Sequence, residues 1–195
     1  SERPLRVLEI GAGTGSTTAA VLPGLDAART RYDFTDVSEL FLGRAAQKFE
    51  ASPFIRYRLL DVENAPEAQG FAPYSYDVVV AANVLHAAKD LGAALRHIRS
   101  LLASNGVLVL LEATTHQAAH DITIGLIEGW QRFDDEWRID TPLLSLARWD
   151  EALRREGFED LLALPEAGSP AEVLGQHVGL ARGPVVVAVD DAHAL

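Results

Sequence analysis

The stretch Glu9-Ile10-Gly11-Ala12-Gly13-Thr14-Gly15 decides how the rest of this 195-residue chain is read. Before it, Leu5 to Ile10 is apolar and β-branched enough for a buried strand. After it, Ser16 to Leu22 runs without a helix breaker until Pro23. Strand, glycine turn and helix therefore follow one another. Glycines suit such a turn because the backbone must bend tightly and approach a ligand closely, and a Cβ obstructs both. The unpaired N–H groups at the start of the new helix favour negative charge nearby.

The glycine spacing is G-x-G-x-G, whereas the dinucleotide fingerprint is G-x-G-x-x-G, and the acidic Glu9 precedes the turn. A carboxylate at the end of the first strand repels a pyrophosphate. It suits instead the cationic amino-acid end of S-adenosylmethionine, held directly or through a backbone amide. A nucleoside-type cofactor site is the resulting expectation.

Working outward, Tyr32 to Thr35 reads as a second strand ending at Asp36, and Ser38 as the cap of a helix with Phe41, Ala45 and Phe49 on one face. Ile55, Tyr57 and Leu59 alternate into a third strand that closes on Asp61. Tyr76 to Ala82 is a buried strand, and Asp90 caps a helix with Leu91, Leu95, Ile98 and Leu102 inward. Asn105-Gly106 makes a turn into a fifth strand, Val107 to Leu111, which closes on Glu112. Alternating strands and helices predict a parallel sheet with helices on both faces.

Past Glu112 the pattern predicts a helix over 122–133, a loop with Pro142, a helix from Leu146 to Glu156 stopped by Gly157, and a sixth strand from Phe158 to Leu164. Val178 to Ala181 and Val185 to Val189 compete to be the seventh, separated by the Arg182-Gly183-Pro184 turn. The fold class expected is α/β with a seven-stranded, mostly parallel sheet. No internal repeat or low-complexity tract interrupts it.

Composition sets the bounds. Hydrophobic residues make up 48% of the chain, enough for a core, and its length fits one domain over 1–195. A net charge of −11 argues against a nucleic-acid surface, which needs clustered Lys and Arg. Arg29-Thr30-Arg31, Arg56 to Arg58 and Arg154-Arg155 are weak candidates for a basic patch toward an acidic carrier protein. No apolar run is long enough for a membrane span and no secretory leader opens the chain, so a cytoplasmic protein is expected. Cysteine is absent, which removes disulfides, thiol nucleophiles and zinc-thiolate sites. Methionine is absent too, even at position 1, and the chain is expected to be a piece excised from a larger polypeptide.

In an open parallel sheet, ligands sit beyond the carboxyl ends of the strands. Glu9, Asp36, Asp61, Asn83 with His86, and Glu112 each fall just past one of five successive strands. Asp36 follows the glycine turn at about the 20-residue offset where an acidic side chain accepts hydrogen bonds from ribose hydroxyls, and Asp61 is placed to accept from an adenine amino group. His116 and His120 lie four apart with Asp121 adjacent, but Gln117 stands where a metalloprotease helix carries glutamate and no third ligand is indicated, so the pair reads as solvated histidines and no metal site is expected. His97 and His177 read as structural or exposed. Trp130 and Phe133 read as core rather than acyl-pocket lining.

The chain resembles the Rossmann-like class I S-adenosylmethionine-dependent methyltransferases, in particular the carbon-methyltransferase domains of polyketide synthases. The likeness covers essentially the whole chain. It rests on Glu9-Ile-Gly-Ala-Gly-Thr-Gly-Ser-Thr-Thr, Tyr32-Asp-Phe-Thr-Asp-Val-Ser, Gln69-Gly-Phe and Tyr76-Asp-Val-Val-Val-Ala-Ala-Asn-Val-Leu-His-Ala. Leu111-Glu-Ala-Thr, Gly125-Leu-Ile-Glu-Gly-Trp and Pro142-Leu-Leu-Ser agree as well. Asn83-Val-Leu-His86 with Glu112 and Gly129-Trp130 is the specific part. Two departures stand out: the helical lid that precedes the glycine motif in that family is missing here, and Gln131 replaces the second residue of an aromatic pair after Gly129. A core without its lid is expected to bind cofactor weakly or turn over slowly.

The resemblance implies Glu9, Gly11, Gly13, Gly15, Asp36, Asp61, Val62 and Asn83 as cofactor-binding residues, with S-adenosylhomocysteine as the cofactor product. It implies a β-ketoacyl thioester on the phosphopantetheine arm of an acyl carrier protein as substrate, and neighbouring synthase domains as partners. His86 would remove the acidic proton between the two carbonyls, since imidazole titrates near neutral pH, and Glu112, on the neighbouring strand, would orient it. The competing readings are a noncatalytic module of a megasynthase, an oxygen or nitrogen methyltransferase of a small molecule, and a nicotinamide oxidoreductase, the last weakened by the glycine spacing.

Overall fold

Apolar residues with alternating partners organise the chain into one seven-stranded sheet. The strands are β1 (Leu5–Ile10), β2 (Thr30–Asp36), β3 (Ile55–Leu59), β4 (Tyr76–Ala82), β5 (Leu102–Ala113), β6 (Glu159–Leu164) and β7 (Gln176–Arg182), as seen in a computed structural model that describes residues 3–127 and 130–185. Their order across the sheet is β3-β2-β1-β4-β5-β7-β6. The first five are parallel, and β7 runs antiparallel to both β5 and β6. Sequence order reverses between β1 and β4, and a crevice opens at such a switch point above the strand ends.

Successive side chains of a strand point to opposite faces, and each face has its own helices. Leu8 and Ile10 of β1 pack into a core with Leu95, Ile98 and Leu101 of α3 (Leu91–Leu101) and Trp149 and Leu153 of α5 (Leu146–Arg155). Val7, just before Leu8, joins Tyr32, Phe34, Ile55 and the Ala45 and Phe49 side chains on the other face. There α1 (Ser16–Val21) and α2 (Glu39–Lys48) lie against the sheet. Each fully buried aliphatic contributes about 1.5–3 kcal/mol by leaving water. The Asp90 carboxylate caps α3 by accepting the Ala93 amide at 2.8 Å. Ser38 precedes α2 as expected, but its side chain caps nothing; Asp36 accepts the Ser38 amide instead.

Two expectations are corrected and one alternative is decided. Residues 122–133 do not form one helix: α4 (Ala118–Asp121) ends early, a 3₁₀ turn follows at Ile124–Leu126, and the rest is irregular among the described residues. The β-branched run Ile122-Thr123-Ile124 followed by Gly125 is poor in helix propensity, and the Thr123 hydroxyl donates to the Ala119 carbonyl at 2.5 Å. Asn105-Gly106 does turn, with Asn105 at φ 59°, but inside β5. That strand pairs Leu102 with Tyr76 and Val107 with Val78 around the excursion, so Leu102 is a strand residue rather than the last turn of α3. Val178 to Ala181 is the seventh strand within β7; the rival stretch Val185 to Val189 lies outside the described residues beyond its first position. No helix among the described residues is long and apolar enough to cross a membrane.

At the amino-terminal end of β4, the Asp77 carboxylate accepts from the Arg6 amide at 2.9 Å and from the Arg3 guanidinium at 2.6 and 2.8 Å. Burial alone would push its pKa up, but the Arg3 bond and the Arg6 amide outweigh that and hold it below the ordinary 3.8. A carboxyl depressed on folding stabilises above its unfolded pKa and loses that contribution as pH falls through the folded one. Asp77→Asn is therefore expected to cost about 1 kcal/mol at neutral pH, Arg3 being half exposed. The deficit against wild type should shrink to nothing in acid, as read by urea denaturation across pH.

Candidate active site

The glycine turn joins β1 to α1 with Gly11, Gly13 and Gly15 all at positive φ, 58°, 52° and 69°. A Cβ on Gly11 would lie 2.3 Å from the Val84 side chain, so glycine there lets the turn press against the loop after β4. A Cβ on Gly15 would meet the Phe49 ring at 2.6 Å, which makes Gly15 a packing residue behind the turn. Asp36 pins the turn from the next strand: its Oδ2 accepts the Gly13 amide at 2.9 Å and its Oδ1 the Ser38 amide at 2.9 Å. Each of these oxygens keeps a second lone pair for a ligand hydroxyl.

Above the carboxyl ends of the strands lies a cleft of about 850 Å³. Gly11, Gly13, Asp36, Asp61, Val62 and Asn83 line one part of it, and His86, Ala113, Ile127 and Trp130 another. Asp61 is shaped by its own loop: Oδ1 accepts the Glu63 amide at 2.9 Å, Oδ2 the Asn64 side-chain amide at 2.8 Å. Gln69 braces it from outside, donating to the Asp61 carbonyl and accepting the Asp61 amide, both at 2.8 Å. Asn83 adopts φ 50° and donates its amide to the Leu111 carbonyl at 2.7 Å, turning the chain sharply from β4 into the cleft.

His86 follows in the 3₁₀ turn Leu85–Ala87. Its Nδ1 lies 2.7 Å from Glu112 Oε2, on the adjacent β5. The Glu112 carboxylate is buried, and its Oε1 accepts the Val84 and Leu85 amides at 3.0 and 2.8 Å. Glu112 thus sets both the backbone that carries His86 and the ring itself. Nδ1 being taken, Nε2 is the ring nitrogen that remains to exchange a proton. The Trp130 ring stands 5.3 Å from the imidazole, centroid to centroid, as a wall of the cleft rather than a core residue.

Three sequence-derived site residues sit outside the cleft lining: Glu112, which meets the cleft only through His86, and two at the glycine turn. Glu9 is buried behind the glycine turn, its Oε2 accepting the Thr18 hydroxyl at 2.5 Å and the Tyr32 hydroxyl at 2.7 Å. Burial pushes the Glu9 pKa up, against the pull of those two hydroxyls. A carboxylate so placed locks β1, α1 and β2 together and does not reach a ligand directly, which leaves only the indirect route through backbone. Gly15 likewise acts through packing.

Of the other histidines, His97 Nδ1 donates to the Val62 carbonyl, 2.7 Å away, and His177 pairs with the Thr114 hydroxyl at 2.6 Å. The His116 and His120 rings are 6.1 Å apart, and His120 lines the cleft instead of facing solvent. Gly129, part of the motif paired with Trp130, lies outside the described residues. The residues that sequence reading missed are Arg138 and Asp135, and Gln69, quoted there only for the resemblance, proves to be a brace. Arg138 sits in an unremarkable polar stretch, and only its contacts reveal it.

Residues 8–108 match the methyltransferase domain family. The chain belongs to that family. It is 47% identical to polyketide synthase ThaG of Burkholderia thailandensis over 200 residues, all of this chain but 4% of that protein. Among solved structures it superposes on the CurJ carbon methyltransferase with a TM-score of 0.90 at 47% identity, covering 93% of this chain and 49% of that one. It also superposes on the trans-methyltransferase CalH, solved in complex with SAH, with a TM-score of 0.82 at 39% identity, covering 94% and 52%. The chain therefore spans a small part of its curated relatives and about half of those solved chains. The seven-stranded, mostly parallel sheet is that of the class I methyltransferases, and the likeness to polyketide-synthase carbon methyltransferases carries through sequence and structure alike.

The methyltransferase family implies a cofactor of the S-adenosylmethionine type, and the residues present fit one. A Cβ built on Gly13 meets nothing nearer than a backbone oxygen at 3.9 Å, so this side of the turn is open to a ligand, and Asp36 and Asp61 offer acceptors beside it. Gly11→Ala is expected to lower the unfolding free energy by about 2–4 kcal/mol, from left-handed backbone strain plus the clash with Val84. Denaturation in urea measures it.

Proposed function

We propose that this chain carries S-adenosylmethionine-dependent carbon methylation, acting on the α carbon of a β-ketoacyl thioester presented on the phosphopantetheine arm of an acyl carrier protein. The observation that carries the reading is the 2.7 Å contact between His86 Nδ1 and Glu112 Oε2 at the edge of the cleft that also holds the glycine turn, Asp36 and Asp61. The naming of CurJ and DszA as carbon methyltransferases supports it.

Gly11, Gly13, Asp36, Asp61, Val62 and Asn83 would hold the cofactor, Asp36 through the ribose hydroxyls and Asp61 through the adenine amino group. S-adenosylmethionine, when bound, supplies an electrophilic methyl group and leaves as S-adenosylhomocysteine. His86 Nε2 takes the α proton of the substrate, and the carbon–hydrogen electron pair stays behind as an enolate. Glu112 holds the ring in the tautomer with hydrogen on Nδ1 and stabilises the imidazolium that results. Trp130 and Leu143, which line the cleft, would screen the reacting carbon from water. Neighbouring synthase domains supply the carrier.

Calorimetric titration of the chain should give saturable binding of S-adenosylmethionine and S-adenosylhomocysteine and none of a reduced nicotinamide cofactor. With a β-ketoacyl carrier-protein thioester, His86→Ala should lose at least about 100-fold in kcat while keeping cofactor affinity, and Glu112→Gln should lose less. Wild-type turnover in His86→Ala would refute the base. A methyl group mapped to oxygen or nitrogen would refute the enolate, and failure of the wild type on the substrate would favour a noncatalytic module.

A further inference from the structure

The described residues hold one buried cation whose bonds converge on the loop carrying His86. The side chain of Arg138 is fully buried, although it lies in no helix or strand. Its Nη1 donates to the His86 carbonyl at 2.7 Å, and its Nη2 to the Ala88 carbonyl at 2.6 Å and the Lys89 carbonyl at 3.2 Å. Nε and Nη2 also reach one carboxylate oxygen of Asp135. Asp135 is itself anchored at the start of α3, accepting the Leu91 amide at 2.9 Å, and its other oxygen accepts the Trp137 and Arg138 amides at 3.0 and 3.2 Å. Burial alone would push the Asp135 carboxyl up, but the Arg138 guanidinium and the Leu91 amide outweigh it and hold it below the usual carboxylate range. The Asp134 amide adds a bond to the Lys89 carbonyl at 2.8 Å.

A guanidinium is a rigid planar fork, and burying one is costly unless its donors are matched. Here its donors go to three carbonyls of the turn that presents His86 and to an acid bonded to the next helix. Its donors thus follow the path of a backbone as well as one carboxylate. Glu112 fixes the imidazole from the β5 side, through Nδ1 and the Val84 and Leu85 amides. Arg138 fixes the His86 carbonyl.

We infer that Arg138, anchored by Asp135, is a positioning residue that sets the direction of the His86 ring for proton removal. The inference rests on the reading of His86 as the base. Arg138 is buried and lies outside the cleft lining; it acts through the backbone of residue 86. A displacement of about 1 Å at a reacting group costs on the order of 100-fold in rate, so a conservative change should be visible.

The test compares wild type with Arg138→Lys, which keeps the charge but not the fork, and Arg138→Met. S-adenosylhomocysteine affinity and urea denaturation serve as controls. Arg138→Lys is expected to lower kcat by about 10- to 100-fold with the KM for S-adenosylmethionine unchanged. A second readout needs no turnover: in chain labelled with ¹⁵N-histidine, the ring signals of His86 should shift and its Nδ1 proton exchange faster with solvent. The signals of His97 and His177, held at Val62 and Thr114, should stay in place.

An Arg138→Lys variant that folds, binds S-adenosylhomocysteine and keeps both the wild-type kcat and the His86 signals overturns the inference. Equal movement of all three histidine signals does so too, and so does failure of both variants to fold, since the residue would then serve the fold alone. A wild type inactive on the β-ketoacyl thioester, with His86 signals that respond to Arg138→Lys as expected, would instead refute His86 as the base and leave Arg138 as what positions its ring.

Discussion

A carboxylate buried at the carboxyl end of β5 must find hydrogen-bond donors, and the way Glu112 finds them shapes the upper rim of the sheet. Water is excluded from it, so an unmatched charge there would be untenable. It takes two consecutive amides, Val84 and Leu85, and one imidazole nitrogen, all from the loop that leaves β4. Removing the carboxylate would leave two buried N–H groups facing nothing, at about 1–3 kcal/mol each. The loop after β4 is therefore bent toward β5, and the bend is what brings His86 to the cleft. The positive φ of Asn83, a conformation that asparagine tolerates better than most residues, is the local cost of that bend.

The same logic recurs around the cleft. Asp36 holds the glycine turn by its amide, Gln69 braces the loop of Asp61, and Arg138 with Asp135 clasps the turn of His86. In each case a side chain from one connection satisfies the backbone of another, so the loops are set by buried polar pairing on top of a rigid sheet. The sheet itself rests on its backbone ladder and on Leu8, Ile10, Val79, Leu108 and the apolar faces of α3 and α5, which leave water together. Glu9 shows what happens when an acid at a strand end faces the interior instead. It ties Thr18 and Tyr32 together and becomes part of the scaffold under the turn.

Particular residues show how far the sequence could be read. The alternation of β1, β2, β4 and β5 and the cap at Asp90 were legible because burial and capping act over a few neighbouring residues. The adjacency of His86 and Glu112 was legible because parallel strands in a right-handed crossover order leave few arrangements. The segment after Glu112 was misread as one helix, since its apolar spacing looked helical while β-branched residues and Gly125 opposed it. Trp130 and His120 were assigned to core and to solvent; both line the cleft, and spacing alone carries no information on which wall a loop residue joins.

By itself the sequence determined the class of the fold, the position of the glycine turn and the set of polar residues delivered to the strand ends, because hydrophobic period, glycine and caps are local properties of the chain. Only the tertiary structure decided which of those polar residues face the cleft and which are consumed in holding it. Glu9 turned inward, Glu112 spent three bonds on its neighbour's loop, and Arg138, without any motif to mark it, came to grip the backbone of His86. That division follows from the range of the forces: apolar patterning acts within one element, whereas a buried polar group must be matched by whatever other elements bring within 3 Å of it, and no single stretch of sequence contains both halves of the match.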